Sequence, residues 1–332
     1  MTVKVGVIGA GLMGTTHVRT LSAAVPAAEV AAVSDAVSDS AERLAREVGV
    51  ETVYSDALEL INDPAVDAVV IASPAGTHEQ FVLACLEAGK PVLCEKPLAA
   101  TPEAARHVLE AEVALGRRLV QVGFMRRFDP GYIDMKARLD HGEIGPPVLA
   151  YSTHRNASVP AGFGTEMIIK DTVVHDVDAV RWLLGQELVR ATVLTPRSTS
   201  QVAPGVRDPQ VVLFEAEDGL VVHVEAFVNA RYGYDIGCEI VGESGTLSLE
   251  RPEPVPMGFR DRFAAAYVYE LESWVAAIAG GDPAGASAWD GYAASTACEA
   301  AWQALTTGRA TDIALGQKPD LYANPKPLVA HP

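Results

Sequence analysis

The sequence has 332 residues, 49% of them hydrophobic, which is long enough for two domains with full-sized cores. Its 26 Lys and Arg against 43 Asp and Glu give a net charge of −17, which disfavours nucleic acid and anionic lipid as partners. No run approaches the roughly 18–20 apolar residues of a membrane span, and the N-terminal residues lack a signal peptide's basic region. We therefore expect a cytoplasmic protein that binds neither nucleic acid nor membrane.

The four cysteines indicate neither a disulfide framework nor a metal site. They are Cys85, Cys94, Cys238 and Cys298. None forms a CxxC pair, and no Cys/His cluster has zinc spacing. We expect buried, reduced thiols and no bound metal.

Strand and helix patterns alternate in the first third of the chain. The predicted strands are Val3–Ile8, Glu29–Ser34, Val66–Ala72, Pro91–Cys94 and Arg118–Gly123, and the predicted helices are Leu12–Ala24, Ser38–Val48, Thr77–Glu87 and Thr101–Leu115. This alternation predicts an α/β fold, with a doubly wound parallel sheet of the Rossmann type over residues 1–123.

The pattern changes after Gly123. The predicted strands are then Val148–Thr153, Val189–Thr195, Val211–Ala216, Leu220–Val228, Ile236–Val241 and Thr246–Leu249, and the predicted helices are Gly131–Leu139, Phe263–Ala279 and Tyr292–Thr306. Short turns between successive strands favour an α+β domain, residues 124–332, built on a large, open, mostly antiparallel sheet. Such a sheet needs a partner for its second face, usually another subunit.

A glycine motif lies at the start of the chain. Gly9-Ala10-Gly11-Leu12-Met13-Gly14 follows the first strand and opens the first helix, and Asp35 ends the next strand 21 positions after Gly14. Together these are the dinucleotide fingerprint, whereas a lone GxGxxG is weak. Gly9 permits the tight turn, Gly11 lets the backbone approach the pyrophosphate, and Gly14 lets helix and strand pack. The alternative is a glycine-rich turn that binds nothing.

Asp35 indicates which dinucleotide binds. Its carboxylate accepts hydrogen bonds from the ribose hydroxyls and repels the 2′-phosphate of NADP, and Ala36 stands where an Arg would accommodate that phosphate. We therefore expect NAD. FAD proteins share the fingerprint, but the longer acidic register and second nucleotide motif of FAD enzymes are not seen.

Two polar segments follow the fourth and fifth strands. Ser73-Pro74-Ala75-Gly76-Thr77-His78 comes after one, and Glu95-Lys96-Pro97 after the other. Ligands of doubly wound sheets lie beyond the carboxyl ends of the strands, so the Lys96 ammonium is a candidate for the reacting site. Pro97 restricts the backbone of Lys96. An ordinary surface lysine is the alternative.

A helix in the second domain carries Asp171, His175 and Asp178 at i, i+4 and i+7, which places them on one face. A solvated helix face is the alternative interpretation, and Asp176, which points elsewhere, reads as surface charge. With Asp171 and His175 in the first turn, the positive helix end helps to keep His175 neutral, as a base requires. Asp171 opposes that effect and can orient the ring.

With these segments, the chain resembles the glucose–fructose oxidoreductase, inositol dehydrogenase and rhizopine-catabolism (Gfo/Idh/MocA) family over nearly its whole length. The resemblance is carried by Gly9–Gly14, Glu95-Lys96-Pro97 and the helix from Asp171 through His175 to Arg181-Trp182-Leu183. Within the family, the segments 123–129 (GFMRRFD) and 232–236 (YGYDI) are similar to the bacterial inositol 2-dehydrogenases.

The resemblance implies an NAD-dependent oxidation of a secondary alcohol on a cyclic polyol, by a homotetramer assembled through the C-terminal sheet. His175 then takes the hydroxyl proton, Lys96 stabilises the same oxygen, and Asp171 orients the pair. The implied cofactor contacts are Gly9, Gly11, Leu12, Met13, Gly14, Asp35, Ser73, His78, Glu95 and Met125, and the implied substrate contacts are Arg126, Asn156, Asp178 and Tyr234. His78 is equally a packed histidine at a helix start, and Asn156 also suits a turn for backbone reasons.

The resemblance favours myo-inositol as substrate, giving 2-keto-myo-inositol (scyllo-inosose). The alternatives are a dehydrogenase for scyllo-inositol, glucose, or an amino- or nucleotide-sugar, and a non-catalytic sensor of NAD and sugar. A nucleotide-sugar enzyme would need basic residues, which the net charge of −17 does not suggest. A sensor tends to lose the base or the lysine, whereas Lys96 and His175 are both present.

Overall fold

The structure is a computed structural model that describes residues 2–280 and 285–323. The chain divides into two compact units. Of the described residues, unit 1 holds 2–128, 265–292 and 317–323, and unit 2 holds 129–264 and 293–316. The chain enters each unit more than once. The division into a domain of residues 1–123 and a domain of residues 124–332 therefore stays a prediction.

Unit 1 is built on a six-stranded parallel sheet. Its strands are β1 (Val3–Ile8), β2 (Ala28–Ser34), β3 (Thr52–Tyr54), β4 (Ala68–Ile71), β5 (Val92–Glu95) and β6 (Val120–Gly123). Their order is β3-β2-β1-β4-β5-β6, so the order reverses beside β1, as in a doubly wound fold. The predicted Rossmann sheet is confirmed.

Five helices connect these strands: α1 (Leu12–Ala24), α2 (Ser38–Val48), α3 (Ala57–Asn62), α4 (His78–Glu87) and α5 (Pro102–Leu115). Local sequence sets several of their ends. The Thr101 side chain accepts a hydrogen bond from the Ala104 N–H at 3.2 Å at the start of α5, and Gly116 ends that helix with a φ of +73°. β3 and α3 were not predicted, because elements of three and six residues are too short to show a period.

Unit 2 is built on a seven-stranded mixed sheet. Its strands are β7 (Pro147–Arg155), β8 (Leu188–Leu194), β9 (Gln210–Ala216), β10 (Val221–Phe227), β11 (Asp235–Gly242), β12 (Thr246–Ser248) and β13 (Thr311–Asp312), in the order β12-β11-β7-β10-β9-β8-β13. Every neighbouring pair is antiparallel except β7 and β10. The mostly antiparallel sheet is therefore as predicted, with one parallel pair.

The parallel pair follows from the long stretch of chain between β7 and β10, which includes the helical residues 165–184 and the strands β8 and β9. Parallel neighbours need a long crossover, whereas antiparallel neighbours need only a turn. The remaining helices of the described chain are α6 (Pro130–Asp140), α7 (Thr165–Met167), α8 (Val174–Leu184), α9 (Phe259–Arg262), α10 (Ala264–Gly280) and α11 (Ala288–Thr307).

The helical stretch that carries Asp171 and His175 begins earlier than the sequence indicates. A π-helical segment, Ile168–Val173, lies between α7 and α8, and the backbone at both joints, Met167 and Val173, is α-helical. Asp171 and His175 are therefore inside a continuous helical stretch that starts at Thr165. The expectation that they occupy its first turn, where the positive helix end would keep His175 neutral, was wrong.

Candidate active site

The glycine motif forms a tight turn between β1 and α1. Gly9 has a φ of +102°, and a Cβ at this position would lie 2.5 Å from the backbone oxygen of Ala72. A Cβ at Gly14 would lie 1.7 Å from the backbone oxygen of Gly9. Both positions therefore require glycine for packing within the protein.

Gly11 is different, because a Cβ there would have no protein atom within 4 Å. Gly11 is also the N-cap of α1, and no side chain caps the N–H groups of the first helical turn. Open space beside unpaired N–H groups at the positive end of a 13-residue helix suits a pyrophosphate. The turn thus fits a dinucleotide. Leu12 and Met13 begin this helix, and the Leu12 side chain is 54% exposed.

Asp35 lies directly after β2 and supports the glycine turn. One carboxylate oxygen accepts a hydrogen bond from the Ala10 N–H at 2.6 Å, and the other accepts from the Val37 N–H at 2.7 Å. The carboxylate is thereby fixed beside the nucleotide turn. Each oxygen has a further lone pair, so ribose hydroxyls can still bind there.

Lys96 lies in the turn after β5, and a buried pair of side chains, Glu95 and His17, holds this turn in place. The Oε1 atom of Glu95 lies 2.7 Å from Nε2 of His17, whose side chain is fully buried in α1, and Oε2 accepts the Lys96 N–H at 3.3 Å. The Lys96–Pro97 peptide is cis. Glu95, predicted as a cofactor contact, therefore ties the lysine turn to the helix that begins at the glycine motif.

The turn after β4 is internally bonded. Oγ of Ser73 lies 2.7 Å from Oγ1 of Thr77, which also donates to the backbone oxygen of Pro74 at 2.8 Å. His78 begins α4 and is 1% exposed, with one ring nitrogen 2.8 Å from the Ser73 oxygen and the other 2.8 Å from the Pro97 oxygen. Since both ring nitrogens face backbone, this geometry favours the packed histidine over a direct cofactor contact, which stays a prediction.

Met125 and Arg126 follow β6 in a 3₁₀ turn, Met125–Phe128. Both are buried, with exposures of 2% and 1%. Arg126 is thus among the largest fully buried side chains of the described chain. A guanidinium held away from water in this way forms strong hydrogen bonds with hydroxyl or carboxylate oxygens.

In unit 2, the aromatic rings of His154, His175 and Tyr234 lie close together. The ring of His154, on β7, lies 6.1 Å from that of His175 and 5.5 Å from that of Tyr234, centroid to centroid. Tyr234 is also in edge contact with Phe259 and Phe263. His154, His175 and Tyr234 thus form a polar cluster beside an aromatic wall, with His154 and Tyr234 buried and His175 half-buried. On the same helical stretch, Asp171 is half-buried and Asp178 is 1% exposed.

Asp176 belongs to this cluster, which corrects the interpretation of it as surface charge. It is fully buried on α8, where one carboxylate oxygen accepts from Ser152 Oγ at 2.6 Å and the other faces Nδ1 of His154 at 2.9 Å. Ser152 and His154 are two residues apart on β7 and so point to the same face of the sheet. Ser152 and His154 were not predicted as site residues, because they lie between other polar residues of β7, Thr153 and Arg155, and no pattern sets them apart.

Asn156 follows β7 at a turn. Its backbone N–H donates to Phe227 at 2.9 Å and its backbone oxygen accepts from Ala230 at 2.9 Å. Its side-chain oxygen is buried without a hydrogen-bond partner among the described residues. Any residue could make these two backbone bonds, so they do not by themselves explain an Asn at this turn. The buried side-chain oxygen is available to a ligand.

Within 2–280 and 285–323, no group of three or more His, Cys, Asp and Glu is arranged to hold a metal ion. In the same part of the chain, no helix is both long and apolar enough for a bilayer span.

Alanine at Gly14 should lower stability, whereas alanine at Gly11 should weaken NAD binding. Gly14→Ala sets a Cβ against the Gly9 oxygen and should lower the free energy of unfolding by about 3 kcal/mol or more. Gly11→Ala should change it by no more than about 1 kcal/mol but weaken NAD binding about tenfold or more, because the methyl group occupies ligand space. Urea denaturation and NAD titration measure the two effects. An unchanged NAD affinity in Gly11→Ala would place the pyrophosphate elsewhere.

Asp176→Asn should impair the use of the polyol substrate without changing NAD binding. The amide turns an N–H group toward either Ser152 or His154, so a hydrogen bond to a charged group is lost, a loss of about 1.5–3 kcal/mol. We expect kcat/KM for the polyol to fall about tenfold or more while the Kd of NAD is unchanged. Asp134→Asn, an exposed α6 position of the same unit, is the control. Equal effects in both variants would argue against a role of Asp176 at the site.

Comparison with known proteins places these features in a family. Residues 3–124 match a model described as oxidoreductase family, NAD-binding Rossmann fold, and residues 132–248 match the GFO/IDH/MocA C-terminal domain. Inositol 2-dehydrogenase 1 of Saccharopolyspora erythraea is 50% identical over 97% of this chain and 99% of its own. Inositol 2-dehydrogenase of Pseudomonas syringae pv. syringae is 44% identical over 97% of this chain and 100% of its own.

Solved structures agree. Myo-inositol dehydrogenase of Lactobacillus casei, in complex with NAD(H) and myo-inositol, is 36% identical with a TM-score of 0.93, covering 97% of this chain and 100% of that one. Scyllo-inositol dehydrogenase of the same organism, with NAD(H) and scyllo-inositol, is 27% identical with a TM-score of 0.86, covering 94% and 99%. The chain therefore belongs to the Gfo/Idh/MocA family of NAD-dependent oxidoreductases.

Proposed function

We propose that this enzyme oxidises the 2-hydroxyl of myo-inositol to give scyllo-inosose, with NAD as hydride acceptor. The observation that carries the substrate class is the polar cluster of unit 2, where His175, His154 and Tyr234 lie together and buried Asp176 faces His154. A ring that presents a hydroxyl on every carbon needs such a set of donors and acceptors. The related inositol dehydrogenases support the choice of ring.

The proposed roles use the chain's own groups. His175 accepts the proton of the reacting hydroxyl, and the Lys96 ammonium donates a hydrogen bond to the same oxygen as negative charge develops there. Asp171 orients this pair. Bound NAD supplies the acceptor for the hydride that leaves the carbon.

Substrate and cofactor contacts follow the same division. Arg126, Asn156, Asp178 and Tyr234 bind the remaining hydroxyls, the buried Oδ1 of Asn156 as an acceptor. Ser73, Glu95 and Met125 border the cofactor, and Asp35 holds the ribose. Scyllo-inositol is the second candidate substrate, because the Lactobacillus casei enzyme for that isomer is also similar to this chain.

The reaction is tested by following NADH absorbance with NAD and myo-inositol, scyllo-inositol, chiro-inositol or glucose. We expect the highest kcat/KM with myo-inositol, and a fall in kcat of about 10²–10⁴ in His175→Ala and in Lys96→Met with little change in the Kd of NAD.

Two matched controls should retain full turnover: Lys136→Met, on α6, and His141→Ala, just after it. Turnover confined to another ring would move the substrate but keep the mechanism. Near-normal rates in His175→Ala would show that a different group takes the proton.

We further propose a homotetramer assembled through the unit 2 sheet, working in the cytoplasm. Along β7, Ser152 and His154 face α8, whereas Leu149 and Tyr151 alternate with them and are 37% and 40% exposed. The two exposed apolar side chains on this second face suit burial against another subunit. All four cysteines are buried and free, which suits a compartment that keeps thiols reduced.

Light scattering on the purified protein tests the assembly. We expect a mass four times that of the 35.0 kDa chain, and a smaller species for Tyr151→Glu, because a charge on the shared face opposes its burial. Val113→Glu, at an exposed position on α5, is the control. A tetramer that survives Tyr151→Glu would place the interface on another surface.

A further inference from the structure

His78 is held by two hydrogen bonds that a neutral imidazole does not make together. Nδ1 lies 2.8 Å from the backbone oxygen of Pro97, and Nε2 lies 2.8 Å from the backbone oxygen of Ser73. Both distances are those of hydrogen bonds. A carbonyl oxygen has no proton to give, so the ring must donate at both nitrogens, whereas the neutral ring carries a single N–H.

We infer that His78 is a buried imidazolium that joins the turn after β4 to the turn after β5 and thereby positions Lys96. Pro97 directly follows Lys96, so a bond to the Pro97 oxygen acts on the backbone that carries the ammonium. The inference rests on the proposed role of Lys96 in the reaction. His78 itself is then a positioning residue.

The two turns are arranged so that this link restrains the lysine. The β4 turn is fixed by Thr77, whose hydroxyl bonds to Ser73 and Pro74 and whose N–H donates to Pro74 at 2.9 Å. The Ser73 oxygen is therefore a stationary acceptor. The β5 turn is held by Glu95 and His17 on one side and by His78 on the other, so its position depends on both attachments.

The electrostatic surroundings make the charge an unusual feature. His78 is 1% exposed and stands at the start of α4, where the positive helix end disfavours a cation. The nearby charged groups are Glu79 on α4, whose carboxylate lies 2.8 Å from His107 on α5, and Glu95 and Lys96 in the β5 turn. Two charge-assisted hydrogen bonds to fixed carbonyl oxygens are the compensation that the structure provides.

The protonation state can be read without turnover. Long-range ¹H–¹⁵N correlation spectra of the full chain with labelled histidine, at neutral pH, should show both nitrogens of His78 protonated. His78→Gln assigns the signal, and if that variant does not fold, replacing the other histidines one at a time assigns it by elimination. A ring with one bare nitrogen would overturn the inference.

The positioning effect is measured on His78→Gln and on the control His107→Gln. The Gln amide has a single nitrogen and does not span both oxygens, so the β5 turn loses one attachment. We expect kcat to fall about 10- to 100-fold, the effect of a small displacement of a reacting group, with the Kd of NAD and the KM of the polyol within threefold of wild type. His107→Gln should leave kcat unchanged.

The other outcomes are distinguishable. A lower midpoint of thermal unfolding with unchanged kcat would show that His78 only stabilises the fold, which overturns the positioning role. If the wild-type enzyme oxidises none of the polyols, the proposed function fails instead. Positioning is then read from the rate at which Lys96 reacts with an amine-directed reagent, followed by mass spectrometry, and equal rates in wild type and His78→Gln would overturn it.

Discussion

The contact between α1 and the turn after β1 is the constraint on which the cofactor half of the molecule depends. A Cβ at position 14 would lie 1.7 Å from the Gly9 oxygen, so helix and turn lie together only because Gly14 has no side chain. That contact fixes where the first helical turn points its N–H groups and leaves open space beside Gly11. The Asp35 carboxylate then bonds to Ala10 and holds the same turn from the neighbouring strand.

The turn that carries Lys96 depends on the same region through a second set of bonds. His17 lies on α1 and meets Glu95, whose other oxygen accepts the Lys96 N–H. The helix that begins at the nucleotide turn thus also supports the lysine turn. In a parallel sheet, turns at the carboxyl ends of β1, β4 and β5 are neighbours, so short side chains are enough to connect them.

Unit 2 depends on a different constraint, because it holds several polar groups out of water. Asp176 is the central member, since its two oxygens engage Ser152 and His154 on β7, and His154 in turn meets the rings of His175 and Tyr234. A buried carboxylate is tolerated because both of its oxygens have partners. The result is a largely desolvated cluster, and low solvent exposure strengthens the hydrogen bonds within it.

The sequence by itself determined the Rossmann sheet, the ends of α1 and α2, the nucleotide turn and the NAD preference, because glycines, caps and apolar periods act over a few residues. The family resemblance added the residues implied to react. Only the tertiary structure decided the rest. Asp176 looked like surface charge because its partners on β7 are 22 and 24 residues earlier, and no helical period reveals them. The π-helical segment before α8 and the two carbonyl oxygens at His78 were likewise hidden, since both arise from how separate elements meet in space.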